Sequence, residues 1–385
     1  MATCDVCIVG LKCYDLLSGA TVPRYLGGIE KQLVSLARGL ASRGKKVAFI
    51  TYDHGQPDAV DCGGITVYKS YRPAGGLPGL RFVHPRMTLQ WAAMNRADAS
   101  VYMQMGAGSE TGVTALGCRR GKKFVFLVAS DPDCDSSLPQ LPRMREKLLY
   151  KYGLRLAASI LAQTQRQHDL LVEEFSLDSE VIPLPCTWAI PEEKYRAKLF
   201  PQSETVHILW VGRIIEIKRL EWFLDAAEQC PQYHFDVVGT PNTDSVYFSS
   251  LQKRMEKIVN LSMHGRVSDE DLSDLYDKAS LLCCTSSIEG FPTTFLEAWN
   301  YGLPVVTTFD PDGIIRKNGI GCVVESVEQL VETIGELLTT PERWQKLALD
   351  SRKFFNEHYT SEALMPCFEE IFSQITKKDE LVKNL

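Results

Sequence analysis

Two successive series of short apolar runs, each run followed by a segment of helical periodicity, limit what this chain can fold into. In the first series the runs lie at residues 6–9, 46–51, 65–68, 100–103, 124–128, 159–162 and 181–182. In the second they lie at residues 206–211, 235–238, 261–264, 280–283, 304–307 and 321–324. Between the first two runs, Leu33, Leu36, Ala37 and Leu40 recur at spacings of three and four, which gives a helix one buried face. Strands that alternate with helices build a doubly wound parallel sheet. Residues 188–205, with Pro191, Glu192, Glu193, Lys194 and Pro201 and little apolar periodicity, read as a linker. The chain is therefore expected to be α/β, with two Rossmann-like halves at residues 1–190 and 203–359. A length of 385 residues suits that division. Helical patterns at 327–338, 343–357 and 361–375 close the sequence.

Charge separates the halves. Residues 1–190 carry 22 Lys and Arg against 17 Asp and Glu, whereas residues 191–385 carry 20 against 31. The positive excess concentrates in Arg119, Arg120, Lys122, Lys123, Arg143, Arg145, Lys147, Lys151 and Arg155, beside Leu148, Leu149 and Tyr150. Such a surface is either a solvated helix face or a peripheral contact with anionic lipid. A chain that is acidic overall, without a basic stripe interleaved with aromatics, argues against nucleic-acid binding. No run of eighteen apolar residues occurs, and the first ten residues read as a strand, so a cytoplasmic location is expected. The twelve cysteines are scattered through apolar runs, as reduced, packed thiols are. Cys4 and Cys7 have metal-site spacing without a second pair, and on a strand they are expected to face opposite ways.

The residues that carry chemistry cluster in the second half. Within 286–306, Glu289 follows a buried strand and Glu297 is expected on the first turn of the next helix. Carboxyl ends of strands are where open α/β sheets bind ligands. The amides of Phe291 and of Thr293 through Phe295 can cradle an anion such as a diphosphate, although Pro292 has no N–H to offer. Ionised carboxylates accept hydrogen bonds from sugar and ribose hydroxyls. Glu297 also fits a capping box with Thr294, and Glu289 also fits a solvated loop. Upstream, an apolar strand runs into Gly212, then Arg213 and Lys218. Arg213 offers a planar fork and Lys218 a point charge, and together they can neutralise a leaving diphosphate. In the first half, Gly27 and Gly28 open the helix of Leu33 and Leu36 and permit close backbone approach to a phosphate.

Gly27-Gly28-Ile29-Glu30, Gly212-Arg213 with Lys218, and the Glu289-to-Glu297 pair occur in an order and at separations that resemble the retaining glycosyltransferases of family 4, with the GT-B fold. The resemblance spans nearly the whole chain. It implies transfer of a hexosyl group from a nucleoside diphosphate sugar, a UDP- or GDP-sugar, to a saccharide or lipid-linked acceptor hydroxyl, without a cofactor or metal ion and with retention of configuration. By the same resemblance Arg213 and Lys218 bind the diphosphate, Glu297 the ribose and Glu289 the sugar. The backbone from Gly290 through Phe291, Pro292 and Thr293 to Thr294 completes the cradle, and the backbone at Arg266 and Val267 meets the base. The donor site is expected between the halves, and the last helix, residues 360–385, is expected to return to the first domain around Cys367, Phe368 and Ile371.

One departure bears on mechanism. Many relatives place a histidine after a central strand of the first half, where this chain has Ala129-Ser130-Asp131. Asp131 is the candidate for that position, to meet the donor sugar or the charge that develops at the anomeric carbon; it equally fits a turn cap. His84 is a further acid or base candidate. The rival readings are a catalytically silent sugar-nucleotide binder or scaffold, and another GT-B activity such as a nucleotide-sugar epimerase or a phosphorylase. A dehydrogenase is disfavoured, because Val9-Gly10-Leu11-Lys12 lacks the three-glycine fingerprint.

Overall fold

The computed structural model describes residues 3–21, 23–25, 27–118, 121–186, 188–201, 205–241 and 246–383, with side chains up to residue 376. Arg119 and Arg120 lie outside the described residues. Two compact units result: residues 1–188 with 360–385, and residues 189–359.

The first unit is built on an eight-stranded sheet of β1 (Cys4–Val9), β2 (Val47–Thr51), β3 (Ala59–Asp61), β4 (Ile65–Lys69), β5 (Ala99–Met105), β6 (Lys123–Leu127), β7 (Ser159–Ala162) and β8 (Glu180–Val181), in the order β3-β4-β2-β1-β5-β6-β7-β8. Every pairing is parallel except β3 with β4. β3 has no counterpart in the sequence reading. It is three residues long, on the sheet edge, and exposed or half-buried throughout, so it carries no apolar run. The central strands are buried on both faces, because helices cover each side and exclude water from both rows of side chains. On one face the helix Gly28–Ser42 lays Leu33, Leu36, Ala37 and Leu40 over Val6, Ile8 and Phe49.

The carboxyl-terminal helix Ser361–Lys383 joins the same core through Met365, Phe368, Ile371, Phe372 and Ile375. Gly39 makes room for it, since a Cβ there would sit 2.7 Å from the Met365 sulfur. Cys367, expected at this contact, is exposed, because it lies one residue from Phe368 and so on a different helix face. Cys4 and Cys7 also depart from expectation. Both are buried in one apolar cluster with Met94 and Tyr102, and Cys4, which opens β1, turns its thiol to the Lys46 carbonyl at 2.9 Å.

The second unit carries β9 (His207–Val211), β10 (His234–Val238), β11 (Leu261–Gly265), β12 (Leu281–Cys284), β13 (Val305–Thr307) and β14 (Cys322–Val323), all parallel, in the order β11-β10-β9-β12-β13-β14. The order reverses between β9 and β12, so the loops that leave these two strands diverge to opposite sides and open a crevice at their carboxyl ends. Residues 189–201 form neither helix nor strand, yet they are fastened to this unit. Arg352 donates to the Ile190 and Asn300 carbonyls at 2.8 and 2.7 Å, and Lys198 donates to the Ala279 carbonyl at 3.0 Å.

Candidate functional site

The loops after β9 and β12 are stitched together by their own backbones. Ser287 donates its N–H to the Ile217 carbonyl at 2.8 Å, and the Thr285 hydroxyl donates to the Lys218 carbonyl at 2.7 Å. Arg219 adds a further tie, with its Nε 2.7 Å from the Thr285 carbonyl and its guanidinium stacked 4.2 Å over the Trp222 ring. Beneath this, Gly212 passes so close to Gly239 that a Cβ on Gly239 would fall 1.8 Å from the Gly212 carbonyl oxygen. Gly239 also has φ +148°, so only glycine fits the crossing. Neither Arg219 nor Gly239 carries a role in the sequence reading. A single glycine after an apolar strand gives no hint that another backbone crosses it.

This framework brings Lys218 and Glu289, 71 residues apart, into a direct ion pair in which both side chains are largely shielded, with 19% and 13% of their surface exposed. Arg213 is exposed in the same loop, and its guanidinium has no partner among the described residues. The loop after β9 thus carries one cation engaged by a carboxylate and one exposed cation without a partner among the described residues.

The helix Thr293–Asn300 starts from Pro292 as its cap, with no side-chain cap bond. Its first N–H groups, at Thr293 and Thr294, therefore lack intrahelical acceptors. Glu297 falls just past the first turn rather than on it, since the helix begins at Thr293, one residue earlier than expected. It is 6% exposed, and its carboxylate accepts a hydrogen bond from the buried Tyr276 hydroxyl at 2.6 Å. Tyr276 stacks on Tyr301 at 5.5 Å, and burial, reinforced by the Glu297 carboxylate, pushes the Tyr276 phenol far above its ordinary range. Gly290, Phe291 and Pro292 are buried beneath the loop. Arg266 and Val267 follow the Gly265 end of β11, on the same carboxyl edge of the sheet.

In the first unit, Gly27 caps the helix Gly28–Ser42, and the Glu30 carboxylate folds back to within 2.5 Å of where a Gly27 Cβ would sit. Asp131 leaves β6 and pairs with Arg166 at 2.7 Å. Its neighbour Asp133, 3% exposed, accepts the N–H groups of Ala129 and Ser130 at 2.9 and 3.2 Å. Burial pushes the Asp133 carboxyl up to about 6, against the backbone N–H groups that pull it down. The turn cap foreseen for Asp131 thus falls to Asp133, inside a Ser130 capping box. His84 lies at the surface and pairs with the Thr88 hydroxyl at 2.8 Å.

The basic surface differs in detail from the sequence reading. On the helix Met144–Leu156, Tyr150 is buried with its hydroxyl on the Asp133 carbonyl, and Leu149 is half-buried. The exposed apolar residues are Met144, Leu148, Tyr152 and Leu156, at 69, 63, 49 and 44%, spaced four apart along one face with Arg145 and Arg155 beside them.

Residues 205–340 match the family model described as "Glycosyl transferases group 1". A protein of Haemophilus influenzae described as "Uncharacterized glycosyltransferase" is 24% identical over 215 residues, which are 54% of this chain and 58% of that one. The mannosylfructose-phosphate synthase of Agrobacterium fabrum is 28% identical over 186 residues, 42% of this chain and 40% of that one. The chain thus spans about half the length of these curated relatives. Among solved structures, sucrose-phosphate synthase of Thermosynechococcus elongatus superposes with a TM-score of 0.77 at 16% identity, covering 97% of this chain and 99% of that one. HepE of Anabaena, solved in complex with UDP-glucose, superposes at 0.73 with 14% identity, covering 96% of this chain and all of that one. Two parallel sheets with flanking helices, matched over nearly the full length of glycosyltransferase structures, are the GT-B fold.

Proposed function

We propose, from the match of residues 205–340 to the family model described as "Glycosyl transferases group 1", that the chain transfers a hexosyl group from a nucleoside diphosphate sugar to an acceptor hydroxyl, retaining the anomeric configuration. The observation that carries the proposal is the shielded Lys218–Glu289 pair where the strand order reverses, with Arg213 exposed in the same loop and unpartnered among the described residues.

A diphosphate that enters between Arg213 and Lys218 gives the lysine a doubly charged partner in place of one carboxylate. Glu289 is then released to accept the sugar hydroxyls. The first amides of the helix Thr293–Asn300 add fixed positive dipoles to the same anion. As the glycosidic bond breaks, negative charge grows on the leaving oxygen, and cations already in place stabilise it without reorganising. The protein's own cations neutralise the leaving group, so the reaction needs no metal ion. Glu297, oriented by Tyr276, takes the ribose hydroxyls, and the backbone at Arg266 and Val267 meets the base. By the family resemblance, Asp131 is assigned to the donor sugar and Gly27 and Gly28 to its phosphate. The leaving phosphate itself takes the acceptor proton.

The acceptor is a saccharide or a lipid-linked precursor received by the first unit. The apolar row of Met144, Leu148, Tyr152 and Leu156, flanked by Arg145 and Arg155, suits contact with an anionic bilayer surface. No described helix is long and apolar enough to cross a membrane. A catalytically silent sugar-nucleotide binder shares the same crevice and differs only in turnover.

The test is a thermal-shift series against UDP-, GDP- and ADP-sugars, followed by product analysis with the sugar that binds. One of these is expected to raise the melting temperature, corresponding to about 2.7 kcal/mol at a hundredfold excess over Kd, and Arg213→Ala is expected to abolish the rise. If none of the three shifts the transition, the reading is wrong. If one shifts it but no acceptor is glycosylated, the silent binder stands in its place.

A further inference from the structure

On one face of the six-stranded sheet three histidines surround one carboxylate, with His207 and His234 at the starts of their strands, Asp236 at the middle of β10 and His264 next to the carboxyl end of β11. His207 opens β9 and His234 opens β10, and the two are paired in register, with their rings 4.9 Å apart. Asp236 lies two residues beyond His234, on the same face of the same strand. Ile208, Trp210, Phe235 and Val237 take the alternate positions and fill the core on the other face. His264 comes from β11, where a register shift opposite Val237 and Val238 inserts one residue and re-aims its neighbours.

Asp236 is the hub. Its Oδ2 lies 2.7 Å from His207 Nδ1, and its Oδ1 lies 2.7 Å from His264 Nε2 and 3.7 Å from His234 Nε2. One ligand atom each from His207, His234 and Asp236 falls within a span of 4.8 Å, and no other such group of three occurs among the described residues. His207 and Asp236 are nearly enclosed, whereas His234 and His264 reach the surface, with 26 and 30% of their side chains exposed. The arrangement therefore has a sheltered carboxylate and an entry path.

We propose that His207, His234 and Asp236 bind a divalent transition-metal cation of the zinc type, with His264 acting as an outer partner that donates to the carboxylate and fixes its orientation. Two imidazoles and a carboxylate are a donor set that zinc accepts, leaving a fourth position to water. Magnesium and calcium prefer an all-oxygen shell and are poorly served by it. A tetrahedral ion at about 2.0–2.2 Å from each ligand needs the donor atoms roughly 3.4 Å apart. His207 and His234 reach different oxygens of Asp236, at 2.7 and 3.7 Å, and His234 Nε2 also meets the Ser262 hydroxyl at 2.9 Å, so side-chain rotation brings one oxygen and both imidazoles around the ion. The hydrogen bond from His264 is the kind of support that ligating carboxylates receive in metal sites. Since β9 and β10 each contribute a ligand, the ion cross-links two central strands and raises the stability of the second unit in proportion to its occupancy. His207 holds the ion at the start of β9, whereas Arg213 follows the Val211 end of the same strand.

The experiment uses the whole chain without a histidine tag, stripped with EDTA and then offered Zn2+, Co2+ or Mg2+ alone. The wild type is expected to keep one equivalent of zinc through desalting, to melt higher with zinc than with EDTA, and to ignore magnesium. Cobalt is expected to give a visible absorption band, because a nitrogen and oxygen site of low coordination number colours it. His234→Gln is expected to lose the retained zinc and the band while its far-ultraviolet circular dichroism is unchanged. His264→Gln, at a partly exposed position, keeps the three ligands and is expected to weaken zinc by about 10–100-fold. If His234→Gln fails to fold, the His264→Gln comparison decides. Failure of the wild type to retain zinc, or equal retention by wild type and His264→Gln with equal affinity, overturns the proposal. His234 opens β10, at the end away from the donor crevice, so His234→Gln is expected to keep the nucleotide-sugar thermal shift, whereas His264 lies two residues before Arg266 and its variant is read by zinc affinity alone.

Discussion

After β6 in the first unit and after β12 in the second, a central strand ends in a turn that carries acids, and the two turns hold them by different means. In the first, Asp133 is buried and accepts main-chain N–H groups from Ala129 and Ser130. In the second, Glu289 is shielded almost as well but is held by the side chain of Lys218. A carboxylate clasped by amides cannot be released without refolding its turn. One clasped by a lysine is released as soon as the lysine finds a better anion. Similar burial therefore produces a structural acid in one place and an available one in the other.

The largest effect expected from this contrast is on stability. Asp133→Ala leaves the backbone N–H groups of Ala107, Ala129 and Ser130 without their acceptor, and should cost about 3 kcal/mol in urea unfolding. Asp133→Asn keeps an acceptor oxygen and isolates the charge. Burial raises the folded-state carboxyl to about 6, above its ordinary value of 3.8, so between those values the folded chain binds more protons than the unfolded one. The stabilising contribution is thus complete below the ordinary value, is lost as pH rises through about 6, and is flat above. Relative to Asp133→Asn, the wild type should lose on the order of 3 kcal/mol across that window. Parallel stability curves for the two proteins would show that Asp133 is not the strained acid described here.

Glu289 should behave in the opposite way. Lys218→Ala and Glu289→Ala are each expected to lower turnover by at least about tenfold, or 1.4 kcal/mol of transition-state stabilisation, and to unfold close to the wild-type midpoint. Steady-state rates with the sugar nucleotide that raises the melting temperature measure the first part, and urea titration the second. Should both variants lose stability as Asp133→Ala does while keeping their rates, the contrast between the turns would be reversed.

Glu297 lies between these extremes, because its partner is a side chain, but a buried one. Tyr276→Phe removes the 2.6 Å hydrogen bond and should destabilise by about 1 kcal/mol. A matching rise in KM for the donor, with kcat little changed, would place Glu297 on the nucleotide; a change in kcat alone would move it to the reacting sugar.

Much of this architecture is readable in the sequence, because parallel strands buried on both faces leave long apolar runs and each crossover helix leaves a period of its own. The carboxyl-edge loops are legible for the same reason: a strand that ends in Gly212-Arg213, or in Ser286 to Glu289, announces where its chemistry starts. What is not legible depends on contacts distant in sequence. No local pattern pairs Lys218 with Glu289 rather than with solvent, or Glu297 with Tyr276 rather than with its own helix start. The solvent-facing row Met144, Leu148, Tyr152 and Leu156 is spaced as a buried face would be, so only packing reveals that Tyr150 is the residue turned inward. Of the three histidines around Asp236, only His234 is near it in sequence, and sheet register brings His207 and His264 to it.

Asp131 is where the contrast can be broken most cheaply. It leaves the same turn as Asp133, but its partner Arg166 is a side chain with 67% of its surface exposed, so by the logic of the two turns it belongs with the available acids. An exposed pair of this kind contributes little, and Arg166→Ala should move the unfolding midpoint by less than about 0.5 kcal/mol. Asp131→Asn should be as mild in urea, yet should slow transfer if the carboxylate meets charge developing on the donor sugar. A loss of stability in Arg166→Ala as large as that of Asp133→Ala would place Asp131 among the acids that hold the turn together, and would remove it from the chemistry.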